Sequence, residues 1–173
     1  MLLPHVSSAQ ARPGTPRAAE TYERVSVDSG NLVILTTDRR TIVVAKEREQ
    51  TAFGKPLLSS DRTAAGAQAQ FPNCCTSYDI PLQLVVHANG KTHRFTGIGL
   101  PIFRWHFVDG GRRVAYSQET VHFACVTHYE LRDVESERLI DSADIPQPCG
   151  QDPNPNIGPI VRWVSDLRAD SLN

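Results

Sequence analysis

The chain has 173 residues, 40% of them hydrophobic, with 18 Lys plus Arg against 19 Asp plus Glu for a formal net charge of −1. That length can bury a core as one domain, with little room for a second domain. No Lys or Arg block exceeds a pair, and no apolar run approaches the ~20 residues of a membrane-spanning helix, so neither a nucleic-acid partner nor an integral membrane segment is expected.

Residues 1–20 read as a disordered leader. The stretch Met1 to Ala11 ends in Ala9-Gln10-Ala11, the small-residue pattern of a secretory cleavage site, but its apolar part is short and has no basic start. Two readings stay open: the remnant of a signal peptide, and an ordinary Ala-rich tail. Export to the periplasm or the extracellular space is the expected localisation, with a cytoplasmic chain as the alternative.

Residues 21–143 read as a β domain built from hairpins that echo one another. Leu32 to Val44 forms the first, turning at Asp38. Pro56 to Gly66 turns at Asp61, and Arg104 to Val114 repeats it around Asp109, 109 − 61 = 48 residues later. Leu84 to Phe95 turns at Asn89-Gly90 and is answered by Tyr129 to Ile140 at Asp133, 133 − 89 = 44 residues later. The two patterns alternate, so Leu32 to Ile140 becomes half a four-strand unit followed by two complete units. Asn-Gly and Asp-Gly supply the positive φ angles that tight hairpins of the right twist demand, whereas Asp38-Arg39 and Asp61-Arg62 lack Gly and leave their register open by a residue or two. Alternation places Phe103, Trp105 and Phe107 on one buried face, and Phe123, Cys125, Tyr129 and Leu131 on another.

Four cysteines, Cys74, Cys75, Cys125 and Cys149, are candidates for disulfide pairing, with three connectivities open. Cys74 and Cys75 fall in the loop before the Leu82 strand and Cys125 opens the equivalent strand of the next unit, so one of the pair can bridge to Cys125 while Cys149 takes the other. The competing reading makes Cys125 a small buried hydrophobe.

His122-x-x-Cys125-x-x-His128 has the residue types of a zinc site. A strand separates the two His by about 20 Å at ~3.3 Å per residue and turns Cys125 to the opposite face, so one ion cannot collect all three. His87, His93 and His106 are expected to be scattered in the same way. Gly90-Lys91-Thr92 resembles the end of a phosphate loop but sits on a hairpin and lacks the earlier Gly. Asp152-x-Asn154-x-Asn156 mimics a calcium loop in which Ile157 replaces the turn Gly and Trp163 the closing Glu. No catalytic, cofactor-binding or metal residue is therefore assigned, and no cofactor is expected.

Residues 144–158 carry Pro146, Pro148, Pro153 and Pro155 and read as an extended linker. Residues 159–173 then hold a short helix and tail, in which Ile160, Trp163, Val164 and Leu167 form one apolar stripe. The expected partner of that stripe is the chain's own sheet, since ten residues make a marginal helix alone.

Phe107-Val108-Asp109-Gly110-Gly111-Arg112-Arg113-Val114-Ala115-Tyr116-Ser117, followed by Tyr129-Glu130-Leu131-Arg132-Asp133 and Glu137-Arg138-Leu139-Ile140, resembles a blade of the WD-repeat and TolB-type β-propeller families. The likeness covers about two thirds of the chain and lacks the Gly-His and Trp-Asp pairs of WD repeats. It implies protein binding, export in the TolB type, and no catalytic residues.

The fold expected is mostly β, with antiparallel propeller-blade-like sheets forming an incomplete propeller or a sandwich, since two and a half blades fall short of the ~4 to 8 that close a ring. The function expected is a non-catalytic exported binding or scaffolding module with a protein partner, or self-association through sheet edges. The alternative is a hydrolase using a His/Cys metal site or a thiol nucleophile.

Overall fold

The computed structural model describes residues 20–74, 77–121, 125–148 and 160–169. Its eleven strands form three antiparallel meanders in chain order. The first holds β1 (Tyr22–Asp28), β2 (Asn31–Thr36) and β3 (Thr41–Val44). The second holds β4 (Ala52–Leu58), β5 (Ala64–Phe71), β6 (Ile80–Ala88) and β7 (Lys91–Phe95). The third holds β8 (Ile102–Val108), β9 (Arg113–Gln118), β10 (Val126–Asp133) and β11 (Leu139–Pro146). One α-helix among the described residues, α1 (Arg162–Ala169), follows them. The protein is thus mostly β, with three antiparallel sheets and a short C-terminal helix.

The paired hairpins fall where the echo in the sequence puts them. Asp61 lies in the β4–β5 turn and Asp109 in the β8–β9 turn; Asn89-Gly90 joins β6 to β7, and Asp133 closes β10. Asn89 and Gly90 both take positive φ, 52° and 72°, as the twist of a two-residue hairpin requires. Where Gly is lacking, Arg39 and Arg62 occupy the left-handed region themselves, at 70° and 62°. The first unit is larger than the half expected, because β1 adds a third strand. Its hairpin to β2 turns on Ser29 and Gly30, again both at positive φ.

Sheets stack face to face through two apolar cores. Leu32, Ile34 and Val44 of the first sheet meet Phe53, Ala65, Ala67, Ala69 and Val85 of the second. The opposite face of the second sheet, with Ala64, Leu84, Val86 and Phe95, meets Ile102, Trp105, Val114 and Tyr116 of the third. Successive residues of a strand point to opposite faces, so Ala64 and Ala65 serve different cores, as do Val85 and Val86. The middle sheet is buried on both sides. Its small side chains let the neighbours come close: a Cβ on Gly66 would lie 2.8 Å from the Val85 carbonyl oxygen and 2.9 Å from the Trp105 ring.

The outer face of the third sheet is covered by α1. Val164 and Leu167 are buried there against Ala115, Tyr129, Leu131 and Ile145, with Ile160 and Trp163 beside them. Trp163 Nε1 donates to Asp141 of β11 at 3.0 Å. The expected stripe therefore packs on the chain's own sheet, and it lies on the sheet face rather than at an end. β11 runs on to Pro146, three residues into the Pro-rich segment.

Polar contacts across the sheets keep the period of the sequence. Lys55 Nζ donates to the Phe103 carbonyl at 2.8 Å, 48 residues away, and Lys91 Nζ meets Glu135 at 3.0 Å, 44 residues away. Arg94 pairs with Glu47 at 3.0 Å, and His93 Nδ1 lies 3.1 Å from Glu137. Equivalent positions of neighbouring meanders face one another, so a contact useful at one junction has a counterpart at the next.

His87 sits at the first junction, 6% exposed, with its ring 5.9 Å from that of Tyr22. Its Nδ1 shares a hydrogen bond of 3.0 Å with Thr92 Oγ1, and Nε2 lies 3.8 Å from Glu20. Burial holds its pKa below the ordinary 6.5; the Glu20 charge opposes that shift and the His93 charge adds to it. The unfolded chain then binds the proton more readily than the folded one, so stability is full above about 6.5 and falls as pH drops toward the folded value. Urea titrations across that interval are expected to show a shallower pH slope for His87→Gln than for the parent protein.

Candidate functional site: the groove between two leading strands

The leading strands of the second and third sheets, β4 and β8, are each laddered to one strand only, while outside the ladders Phe53 N–H of β4 donates to the Gly30 carbonyl at 3.0 Å and the Ile102 carbonyl of β8 accepts from Gln68 Nε2 at 2.5 Å. Their free edges border a cavity of about 710 Å³. Pro56 within β4 has no N–H to give to a ladder, which suits an edge strand. Both strands carry a β-bulge at this place, β4 between Gly54 and Leu57 and β8 between Ile102 and Arg104. An extra residue shifts the alternation by one and re-aims the side chains beyond it.

The bulge corrects one expectation. Phe103 does not share the buried face of Trp105 and Phe107; Ile102 takes its place in the core, and Phe103 lines the cavity. In β4 the same device puts Lys55 at φ 46°, from where its ammonium reaches the Phe103 carbonyl. Leu57, 39% exposed, stands opposite, and Leu167 of α1 supplies a third wall.

The cavity holds charge of both signs. Arg104 and Lys55 are its cations, and Glu119 is its carboxylate, tied to Thr127 Oγ1 at 3.1 Å. Trp105 is 5% exposed, and its indole N–H meets no acceptor among the described residues. Behind this wall, burial raises the Tyr129 hydroxyl above its ordinary pKa of 10.0; the charges of Arg168 and Arg104 oppose that shift. None of these positions stands out by sequence motif. Pro56 hints that β4 is an edge strand, but nothing in the sequence marks the bulge at Phe103 that opens the cavity.

Among the described residues the histidines do not gather. His87 and His93 lie on neighbouring strands, and their ring nitrogens face different partners. His128 is held at Nδ1 by Asp144 at 2.6 Å and at Nε2 by Glu130 at 3.2 Å. His122 lies outside the described residues, and among those described no three His, Cys, Asp or Glu side chains are placed to hold a metal ion. Gly90-Lys91-Thr92 is a hairpin, while Asp152 to Asn156 falls outside the described residues.

Cys125 is exposed just ahead of β10, which argues against a buried apolar role for it. Neither Cys74 nor Cys125 is a free thiol; Cys75 and Cys149 lie outside the described residues, as do residues 1–19 with the leader. No protein-family model matches the chain, and no curated protein matches it either.

Proposed function

We propose that this chain is a non-catalytic, exported binding or scaffolding module that engages another protein through the exposed edges of its blade-like sheets. The observation that carries the reading is the groove between β4 and β8, where free strand edges, apolar walls and two cations meet. Three successive meanders stacked through their faces match the way propeller blades pack. The WD-repeat and TolB-type likeness points to the same use, since those families mostly bind proteins. In this reading Cys74, Cys75, Cys125 and Cys149 pair as disulfides in an oxidising compartment and tie the loops to the sheets, a contribution of about 2 to 4 kcal/mol per bridge.

Two measurements test it. Alkylation of the unreduced, denatured protein is expected to label no cysteine, and metal analysis to find no stoichiometric ion. A photo-reactive residue at Leu57 is expected to capture one discrete protein in the cells that make the chain, whereas the same residue at Val43, exposed on the first sheet, captures none. A reactive thiol of depressed pKa or one bound zinc per chain would overturn the module in favour of a hydrolase.

A further inference from the structure

We propose that the groove binds an extended acidic segment of the partner, laid along the β8 edge with its carboxylates on Arg104 and Lys55 and its apolar side chains on Leu57 and Phe103. The inference rests on the protein-binding reading above and supplies the chemistry of the bound segment. Three observations lead to it.

The first is the edge itself. β8 pairs only with β9, so its other side presents backbone donors and acceptors that an added strand can use. Of the β8 carbonyls, that of Ile102 already accepts from Gln68 Nε2 at 2.5 Å, and that of Phe103 from the Lys55 ammonium at 2.8 Å. A strand amide can take the Phe103 oxygen and leave the ammonium to an incoming carboxylate.

The second is charge. Two cations face one carboxylate in the groove, and that carboxylate, Glu119, is already engaged by Thr127. An acidic segment meets the surplus positive charge, whereas a basic one does not.

The third is the apolar lining: Leu57 of β4, 39% exposed, and the partly exposed Phe103 of β8 border the groove beside the cations. Apolar walls on both sides fit the alternation of an extended chain, whose successive side chains point to opposite sides.

The probe is a blocked heptapeptide of alternating valine and aspartate, titrated calorimetrically into the intact, unreduced chain. Its valine–lysine counterpart and free hexanoate serve as comparisons. The acidic peptide is expected to saturate one site, to weaken with added salt, and to slow amide exchange along β8. Arg104→Glu is expected to weaken it by about tenfold, a change of about 1.4 kcal/mol, and Arg104→Gln by less. Both substitutions fall on a partly exposed side chain, and equal unfolding midpoints confirm that the fold is kept.

Equal affinity for the two peptides, no response to Arg104→Glu, or saturation by hexanoate with no slowing along β8 would each overturn the proposal. The two readings fail separately. A specific adduct at Leu57 without peptide discrimination leaves the module standing and removes the acidic strand. A stoichiometric zinc or a reactive thiol removes the module whatever the peptide does.

Discussion

Arg132→Met is expected to lower the stability of the fold by about 3 kcal/mol at neutral pH and to make it more sensitive to acid. The reason lies in Glu130, a carboxylate only 2% exposed in the middle of the third sheet. It accepts hydrogen bonds from Arg132 Nε at 2.6 Å, the Tyr116 hydroxyl at 2.5 Å and His128 Nε2 at 3.2 Å. Burial pushes the Glu130 carboxyl up, but the bonds from Arg132 and Tyr116, the Arg132 charge and the His128 bond outweigh it and hold the group below its ordinary 4.5.

Because the folded value is the lower one, Glu130 adds stability that is complete above about 4.5 and is lost as pH falls through the folded value. Without the guanidinium the carboxyl rises, and acid unfolding should begin at a higher pH. Urea midpoints at pH 7 and pH 4 for Arg132→Met against the parent protein check both statements. Replacing three members at once, Tyr116→Phe with Glu130→Leu and Arg132→Met, should restore much of the loss, since the carboxylate and both of its closest donors go together and the partly exposed His128 keeps Asp144 at Nδ1. A triple variant less stable than Arg132→Met would contradict the argument.

Gly66→Val is expected to destabilise by about 3 kcal/mol or more, and Gly66→Ala by about 2. Gly66 lies in β5 of the middle sheet with ordinary strand backbone, so space alone is at issue. The new Cβ meets the Val85 carbonyl oxygen at 2.8 Å and the Trp105 ring at 2.9 Å, with Val86 Cγ2 at 3.2 Å. The carbonyl belongs to a strand paired on both sides and cannot withdraw without breaking its ladder. Gly90 makes the contrast: nothing lies within 4 Å of a Cβ there, and only its φ of 72° resists a side chain. Gly90→Ala should therefore cost about 1 kcal/mol. Denaturant midpoints for the three variants decide the order, and a Gly90 variant weaker than Gly66→Val would mean that packing at the second junction is looser than described.

The hairpins were legible because each turn states its own chemistry. Asn89-Gly90 and Asp109-Gly110 demand positive φ, and the turns recur from Asp61 to Asp109, 109 − 61 = 48 residues, and from Asn89 to Asp133, 133 − 89 = 44 residues. β1 was harder to read. Tyr22 to Asp28 alternates weakly, and its turn at Ser29-Gly30 has no match 44 to 48 residues later to draw attention to it.

The groove was not legible, and its cause is local. A one-residue bulge at Phe103 reverses the faces inferred from alternation, and bulges leave no side-chain signature of their own. Glu130 was hidden for another reason. Its partner Arg132 lies two residues along the same strand, but Tyr116 is joined to it by strand register, which depends on pairing between strands rather than on spacing along one. The run Ala64-Ala65-Gly66-Ala67 did hold a clue: side chains that small on both faces of a strand leave room for closely packed neighbours on either side.

The middle sheet lends its two faces to different cores, and this makes the molecule a short linear array in which each layer leans on the next. Cooperativity must pass through β5 and β6, because the outer layers share no core of their own. Fraying at either end leaves a remaining pair still clasped along one face, whereas damage to the centre parts the array into fragments with nothing to hold.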